Sequence, residues 1–577
     1  MKSLSQGMNS KKHYNADIKP SKRDYKKEEK RAVFDIESNN WKEYVVGGIY
    51  DGTTFRHFNT LKGLCDALDE FRHHKIYAHF GGIFDFLFTL NYWGLNDFLH
   101  EELIMRGSSV FQFKRGTNTF IDSAGILPFS LEEAARAFKV SHQKLEIDHS
   151  KKKRITKKLL KYLEHDCVAL YECIAAFYNS PIIKNTKPKA TLASTSIEVL
   201  KRHIKDPIPN LVSKEIDDFV RQGYAGGRVE IIKPLYNDKE RQLHHYDFNS
   251  LFPAAMAAMQ VPGKPIRETD TIHELGYSDA TVECPDIHLP LLWTRHNSQF
   301  LFPTGAFRGI FPGPELLEAQ SLGYKIRVHK TIVFENLGKI FEEYIHTLYE
   351  LKSTTKDPVI RQTAKLLLNS GYGRMGIKRE RESLCIDDGS DGIIPLNVFI
   401  GEYRLAKKPT FYRGFSNPAI AGFVTAHARI KLHRKARQLK ELYYMDTDSL
   451  DTPEKLKTGA GLGELKLEAS TNQACFLLPK AYAFGDEIKL KGFPKEFRQS
   501  LNFEDFAQAL EGSLGAFKAT IPERLARIKG AKNEDLLRVL NASEKEIRKR
   551  YDKRILFKNN GVWDTKPLNI NFDIQKK

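Results

Sequence analysis

The chain has 577 residues, 41% of them hydrophobic, with 38 Gly and 24 Pro, a composition of packed domains rather than of a fibre or a disordered tail. Lys and Arg number 90 against 72 Asp and Glu, and the formal charge of +18 calls for a polyanionic partner, nucleic acid first. The cysteines (Cys65, Cys167, Cys173, Cys284, Cys385, Cys475) form no C-x-x-C pair, so neither a zinc knuckle nor a disulfide framework is suggested, and the longest apolar run, Ile83 to Leu90, is far short of a membrane span.

Residues 1–30 are Lys-rich without an apolar stretch, and Asp17, Asp24, Glu28 and Glu29 argue against a presequence; they read as a basic, flexible arm. RAVFDIES (Arg31 to Ser38) and YVVGGIY (Tyr44 to Tyr50) have a strand and turn pattern, and Leu131 to Phe138 and Lys157 to Phe177 have helical spacing, so an α/β domain is expected. A Pro and Lys cluster, Pro181 to Lys189, reads as a linker. The strand-like YDFNSLF follows, then short strands rich in Pro and Gly to about Glu350. Helical pattern returns over Phe341 to Asn369 and Pro418 to Leu439, and the strand YYMDTDSL comes next. The last 80 or so residues read as helical and basic, with Arg524, Arg527, Lys529, Lys532, Arg538 and Lys545 to Arg550 on the surface.

Two separate strands end in acids: Asp247 in the first, Asp446 and Asp448 in the second. Gathering such carboxylates is costly unless a cation neutralises them, and hard oxygen donors suit Mg²⁺. In D-x-D the two acids are i and i+2, on one face of a strand, so both can address one ion pair, with Asp247 facing them. Two ions about 3.5–4 Å apart stabilise both oxygens of an in-line phosphoryl displacement. Alone, one D-x-D is as easily a solvated turn; two acid-ended strands make that reading poor. On a helix Arg361, Lys365, Asn369 and Tyr372 form one stripe, suited to a nucleoside triphosphate with its phosphates on the cations and its base against Tyr372.

The motifs D-x-x-S-L-Y/F-P, K-x₃-N-S-x-Y-G and Y-x-D-T-D-S, in this order, resemble those of family B DNA polymerases. The resemblance implies nucleotide contacts at Ser250, Leu251 and Phe252, with Phe252 as the gate against a ribose 2′-OH where the family commonly has Tyr. Lys480-Ala481-Tyr482 and Lys491 resemble the elements that hold the primer terminus. Upstream, Asp35 and Glu37 in FDIES, Asp85 in HFGGIFD, and Tyr162 with Asp166 in YLEHD resemble the family's 3′–5′ exonuclease motifs. They imply a second two-metal site in which Tyr162 orients the water. Phe84 and His79 would hold single-stranded DNA, although Gly-Gly stands where the family has Asn. Lys144 resembles the lysine of the protein-primed branch, and Ser130 and Leu131 its single-strand contact. Tyr224, Gly226 and Gly227 resemble that branch's Y-x-G-G hinge, which contacts DNA, and two extra segments resemble its insertions.

The implied fold is α/β and multidomain, an RNase H-like exonuclease followed by palm, fingers and thumb. Its divisions would be the arm (1–30), exonuclease (31–200), palm (201–260), a first insertion that meets the priming protein (261–351), fingers (352–377), a second insertion (378–415), palm (416–496) and a small helical thumb (497–577). The implied partners are primer and template DNA, dNTPs and a terminal priming protein, with no membrane. The implied cofactors are two Mg²⁺ per site, with Mn²⁺ as a substitute. The compartment would be the host cytoplasm for a phage, otherwise wherever the virus or plasmid replicates, and not outside the cell. Three other readings stand beside this one: a family B polymerase that uses only DNA or RNA primers, a nuclease with an inactive polymerase half, and a DNA-coating protein. A coating protein gains nothing from clustered acids that repel phosphate. A reverse transcriptase would have adjacent acids, not a pair split by Thr447.

Overall fold

A computed structural model of the chain describes residues 17–26, 29–39, 43–94, 104–106, 109–145, 154–211, 213–296, 299–387, 389, 391–400, 403–412, 414–493, 495–512, 517–522, 542–547 and 551–570. The first half is built on a seven-stranded mixed sheet. Its centre is parallel, with Lys30–Asn39 beside His74–Ala78 and that strand beside Asn118–Asp122. Such strands are covered on both faces, and Val33, Phe34, Ile76 and Phe120 are accordingly buried. The long helix Lys157–Asn179, capped at its start by Thr156, presents Leu159, Tyr162, Leu163, Asp166 and Cys167 inward at helical spacing.

The second half centres on a five-stranded sheet in the order Leu465–Thr471, Leu243–Phe248, Ser449–Thr452, Tyr444–Asp446, Val229–Ile231. The first extra segment forms a four-stranded sheet of Pro262–Thr269, Lys325–Asn336, Gly276–Cys284 and Gly305–Pro312. The second forms three strands, Glu380–Ile386, Tyr403–Phe411 and Ile394–Ile400. Helices Glu342–Thr354, Pro358–Met375 and Pro418–Ala436 lie between and after them. One continuous core runs from Val33 and Tyr162 through Leu367 to Val424 and Met445, so the two halves pack as one body. The six cysteines are free and buried, and no described helix is long and apolar enough to cross a membrane.

Two expectations are corrected here. The described part of the arm is anchored: Ile18 and Ile208 exchange backbone hydrogen bonds at 3.0 and 2.9 Å, Asp17 accepts from the Asn210 amide at 2.8 Å, and Arg202 reaches Asp24 at 2.9 Å. The rest of the arm, residues 1–16 and 27–28, lies outside the described residues. The helical thumb is two short helices, Lys495–Gln499 and Phe503–Glu511, followed by two β-ribbons, Phe517–Pro522 with Ala542–Ile547 and Arg554–Asn559 with Val562–Pro567. Pairing outweighed the helix propensity of the Lys- and Glu-rich sequence there. The basic residues Arg524, Arg527, Lys529, Lys532 and Arg538 lie outside the described residues.

Candidate active sites

In the first half, Asp35 and Glu37 lie on the Lys30–Asn39 strand, Asp85 opens the helix Asp85–Trp93, and Tyr162 and Asp166 share one face of Lys157–Asn179. Asp85 is aimed by its neighbours: its Oδ1 accepts the Ile36 amide at 2.9 Å. The Gly-Gly before it is dictated by packing, since a Cβ on Gly82 would fall 1.9 Å from the Val110 carbonyl oxygen. Burial pushes the Asp85 carboxyl up to about 8 against the hydrogen bonds that it accepts, and Asp122 and Glu37 add to the rise. Burial and then Asp85, Glu37 and Asp166 also hold Asp35 well above the usual carboxylate range. Lys144 is the built-in counter-charge. Its Nζ donates to Asp166 at 2.8 Å and lies 5.3 Å from the Tyr162 ring centroid. Burial alone would lower this ammonium, but Asp166 and Tyr162 outweigh it.

The four residues of this half expected to hold single-stranded DNA each have a place within the fold. The His79 ring nitrogens meet Ser123 at 2.8 Å and the Phe129 carbonyl at 2.9 Å. Ser130 caps its helix in a capping box with Glu133, and Leu131 is buried. Phe84 is half-buried and packs edge-on against Phe88. The exposed apolar surface beside Asp85 belongs to Phe80 and Ile83, at 38% and 36% exposure, which the sequence motif did not single out.

In the second half, Leu243–Phe248 pairs with Ser449–Thr452 so that Asp247 lies opposite Ser449, and Tyr444–Asp446 pairs with the same strand so that Asp446 also faces Ser449. The three acids therefore meet at one end of the sheet, but not by the strand-face rule. Thr447 has φ +63, and a tight turn between the strands carries Asp448. The chain's reversal, rather than the i, i+2 alternation of one strand, brings the pair together. The acids also differ. Asp446 receives Tyr444 Oη at 3.1 Å, Thr447 Oγ1 at 3.0 Å and Lys480 Nζ at 3.2 Å. Burial and then Asp448 push Asp247 up to about 7, and burial and then Asp446 raise Asp448.

Ser250 sits at φ +54 and gives the following helix, Leu251–Ala258, no side-chain cap, so its first amides are placed as helix starts that bind phosphate. Leu251 is buried and its side chain is core. Phe252 stacks on Tyr372, with ring centroids 4.6 Å apart and planes 12° from parallel. Arg361, Lys365 and Asn369 are exposed along the same helix as Tyr372. Sequence reasoning missed Lys352, whose Nζ donates to Ser250 Oγ at 3.1 Å. Burial, Lys365 and Lys466 lower its ammonium against the pull of Asp247, and no spacing rule marks it out.

Lys480, Tyr482 and Lys491 line a cleft of about 500 Å³ with Asp446, Lys489 and Arg498. Gly227 abuts the acid-bearing turn; a Cβ there would lie 2.7 Å from Thr447 Cγ2. The Gly226 and Tyr224 carbonyls accept from Arg429 at 2.6 Å and Arg295 at 3.0 Å. Among the described residues no three His, Cys, Asp or Glu side chains close into a metal cage. The donor chemistry nonetheless suits hard divalent cations: every candidate ligand is a carboxylate, four of them are raised by burial and mutual repulsion, and buried Asp166 Oδ1 has no hydrogen-bond partner.

Residues 146–414 match the family model described as DNA polymerase type B, organellar and viral. A probable DNA polymerase of Ascobolus immersus is 26% identical over 74% of this chain, which spans 41% of that relative's length. The DNA-directed DNA polymerase of Enterobacteria phage PRD1 is 28% identical, with 79% of this chain and 83% of the relative covered. In fold, the chain is similar to phi29 DNA polymerase solved with primer-template DNA and incoming nucleotide, with a TM-score of 0.71 at 18% identity over 91% of this chain and 100% of that one.

Proposed function

We propose that this chain, which resembles the protein-primed type B DNA polymerases of viruses and organelles, is a DNA-directed DNA polymerase with a proofreading 3′–5′ exonuclease. The observation that carries the reading is the meeting of Asp247, Asp446 and Asp448 at one end of the five-stranded sheet, with the Phe252–Tyr372 stack and the Lys352 and Lys365 cations nearby.

Asp247 and Asp448 would hold Mg²⁺, as would Asp35, Glu37, Asp85 and Asp166 in the exonuclease, with Mn²⁺ as an alternative. A bound ion pair supplies Lewis-acid activation of the attacking oxygen and charge neutralisation of the leaving one. The chain's own residues do the rest. Asp446, held by Lys480, Tyr444 and Thr447, fixes the turn that aims Asp448. Lys352, Lys365 and Arg361 meet the triphosphate. Phe252, braced flat on Tyr372, blocks the volume of a 2′-OH. In the exonuclease, Tyr162 orients the water and Lys144 holds both Tyr162 and Asp166 in place. The Y-A-G-G segment against Thr447 and the two inserted sheets support a start from a protein hydroxyl.

The test is Mg²⁺-dependent dNTP incorporation on a primed template, with single-strand degradation measured alongside. Asp448→Asn is expected to abolish incorporation and spare degradation, and Asp35→Ala with Glu37→Ala to do the reverse. Near wild-type extension by Asp448→Asn would end the polymerase assignment.

A further inference from the structure

The turn that carries Asp446 and Asp448 is buttressed from a distant part of the chain. Its strand, Tyr444–Asp446, pairs with Val229–Ile231, with Asp446 opposite Val229, and the Thr447 amide donates to the Arg228 carbonyl at 2.7 Å. Val229–Ile231 is a three-residue strand at the sheet's edge. So short an edge has little register of its own, and the C-terminal ribbon and the residues that lead into it hold it. Tyr551 Oη accepts the Ile231 amide at 3.0 Å, Lys553 Nζ donates to the Val229 carbonyl at 3.2 Å, and Thr565 Oγ1 donates to the Ile232 carbonyl at 2.7 Å.

Beneath these contacts lies a buried ionic trio. Glu230 is 0% exposed, and Arg228 and Arg554 are each 1% exposed. Arg228 Nε donates to Glu230 Oε2 at 2.7 Å and Nη1 to the Pro290 carbonyl at 2.6 Å. From the other side Arg554 Nη1 lies 3.9 Å from Glu230 Oε1, while its Nε donates to Thr565 Oγ1 at 2.8 Å and its Nη2 to the His288 carbonyl at 3.0 Å. Three chain segments are thus tied at one point: the edge strand, the loop before Leu291 and the ribbon. A trio of well-packed apolar side chains would serve stability as well, because desolvating three charges is expensive. What apolar packing lacks is direction, and these guanidinium donors fix each segment by angle as well as distance.

We propose that Arg554 and Glu230 are positioning residues of the polymerase site: through Arg228 they hold the Thr447 turn, so the C-terminal ribbon belongs to the polymerase centre although it contributes no group that touches substrate. The inference rests on the polymerase reading above. It predicts a split between activities, because the exonuclease acids lie on elements that none of these contacts touches.

The experiment uses the full chain and Arg554→Met, Arg554→Lys and the near-isosteric Glu230→Gln. Steady-state extension gives kcat and the dNTP KM, single-strand degradation serves as the internal control, and amide hydrogen exchange is followed in the peptide that contains Thr447. Arg554→Met and Glu230→Gln are expected to lower extension kcat by about tenfold to a hundredfold, the scale of a small misplacement of reacting groups. The dNTP KM and degradation should stay within about twofold, exchange at the Thr447 peptide should quicken, and Arg554→Lys should regain part of kcat because it keeps the charge. Unchanged kcat and exchange in Arg554→Met would overturn the proposal, as would equal loss of both activities with a lowered melting temperature. If the wild-type chain extends no primer, the polymerase reading falls, and the exchange measurement still decides whether Arg554 holds the turn.

Discussion

Asp85→Asn should make the protein more stable and less active at once. Asp85 is fully buried, with its carboxyl pushed up from 3.8 to about 8, so the fold binds its proton far more tightly than the unfolded chain does. The unfolded state therefore loses its proton first as pH rises. Stability contributed at acid pH is lost progressively between about pH 4 and pH 8, and the loss reaches on the order of 5 kcal/mol at the upper end. An asparagine keeps the Oδ1 acceptor for the Ile36 amide and removes the ionisation. With a chelator present at pH 8, the melting transition should then rise by several degrees, at about 1 °C per kcal/mol for one cooperative body of this length. At pH 4 the two proteins should melt together. Mg²⁺ should raise the wild-type transition by more than the variant's, while single-strand degradation by the variant collapses. The assay is differential scanning calorimetry at several pH values, with and without chelator. A variant no more stable than wild type at pH 8, or a gain independent of pH, would refute the reasoning.

Replacing Phe252 by Ala should open the space above the Tyr372 ring and admit ribonucleotides; competition between labelled rNTP and dNTP on one template checks it, with a fall in discrimination of about 10²-fold or more expected. Gly227→Ala would drive a Cβ to 2.7 Å from Thr447 Cγ2, so extension should fall at least about tenfold while single-strand degradation holds, as read in parallel gel assays. Mixing the chain with a candidate priming protein, labelled dATP and a terminal DNA fragment should leave label on that protein after denaturation. The yield should drop with salt if docking is charge-driven. Use of oligonucleotide primers alone, with every partner from the same genome tested, would remove the protein-primed assignment.

How legible the chain was depended on whether a feature was local. The acid-ended strands, the Lys157–Asn179 helix and the stripe of Arg361, Lys365 and Asn369 follow from short-range periodicity, and the structure has them where that periodicity puts them. Alternation along a strand does not reveal the D-x-D geometry, because it hides a residue at positive φ, and Thr447 is one. The C-terminal segment carries a local signal that competes with its charge pattern. Asn560-Gly561, with φ +47 and +82, is the dipeptide that closes a two-residue hairpin, and it joins Arg554–Asn559 to Val562–Pro567. Charge density there suggested helix, and the hairpin signal was the better guide. The Ile18–Ile208 bridge and the roles of His79 and Ser130 depend on partners far away in sequence or on cap geometry, which a motif cannot display.

The two acid clusters are built for different neighbours, and the difference follows from where each lies in the fold. The exonuclease acids stand on a central strand and two helix faces inside the first half, so burial dominates their protonation and the chain supplies its own ammonium, Lys144, against Asp166. The polymerase acids lie at one end of the five-stranded sheet, where burial is again the largest effect, Lys480 pairs with Asp446 and also lowers Asp448, and Asp448 raises Asp247. The helix that would receive the nucleotide is tied to the same core: Ser196 Oγ, on Leu192–Leu200, meets Tyr344 Oη at 2.7 Å and the Leu367 carbonyl at 3.3 Å. Ser196→Ala should therefore raise the dNTP KM for primer extension while single-strand degradation stays within about twofold, as steady-state assays of both activities would read; an unchanged KM would show that this tie does not position the helix.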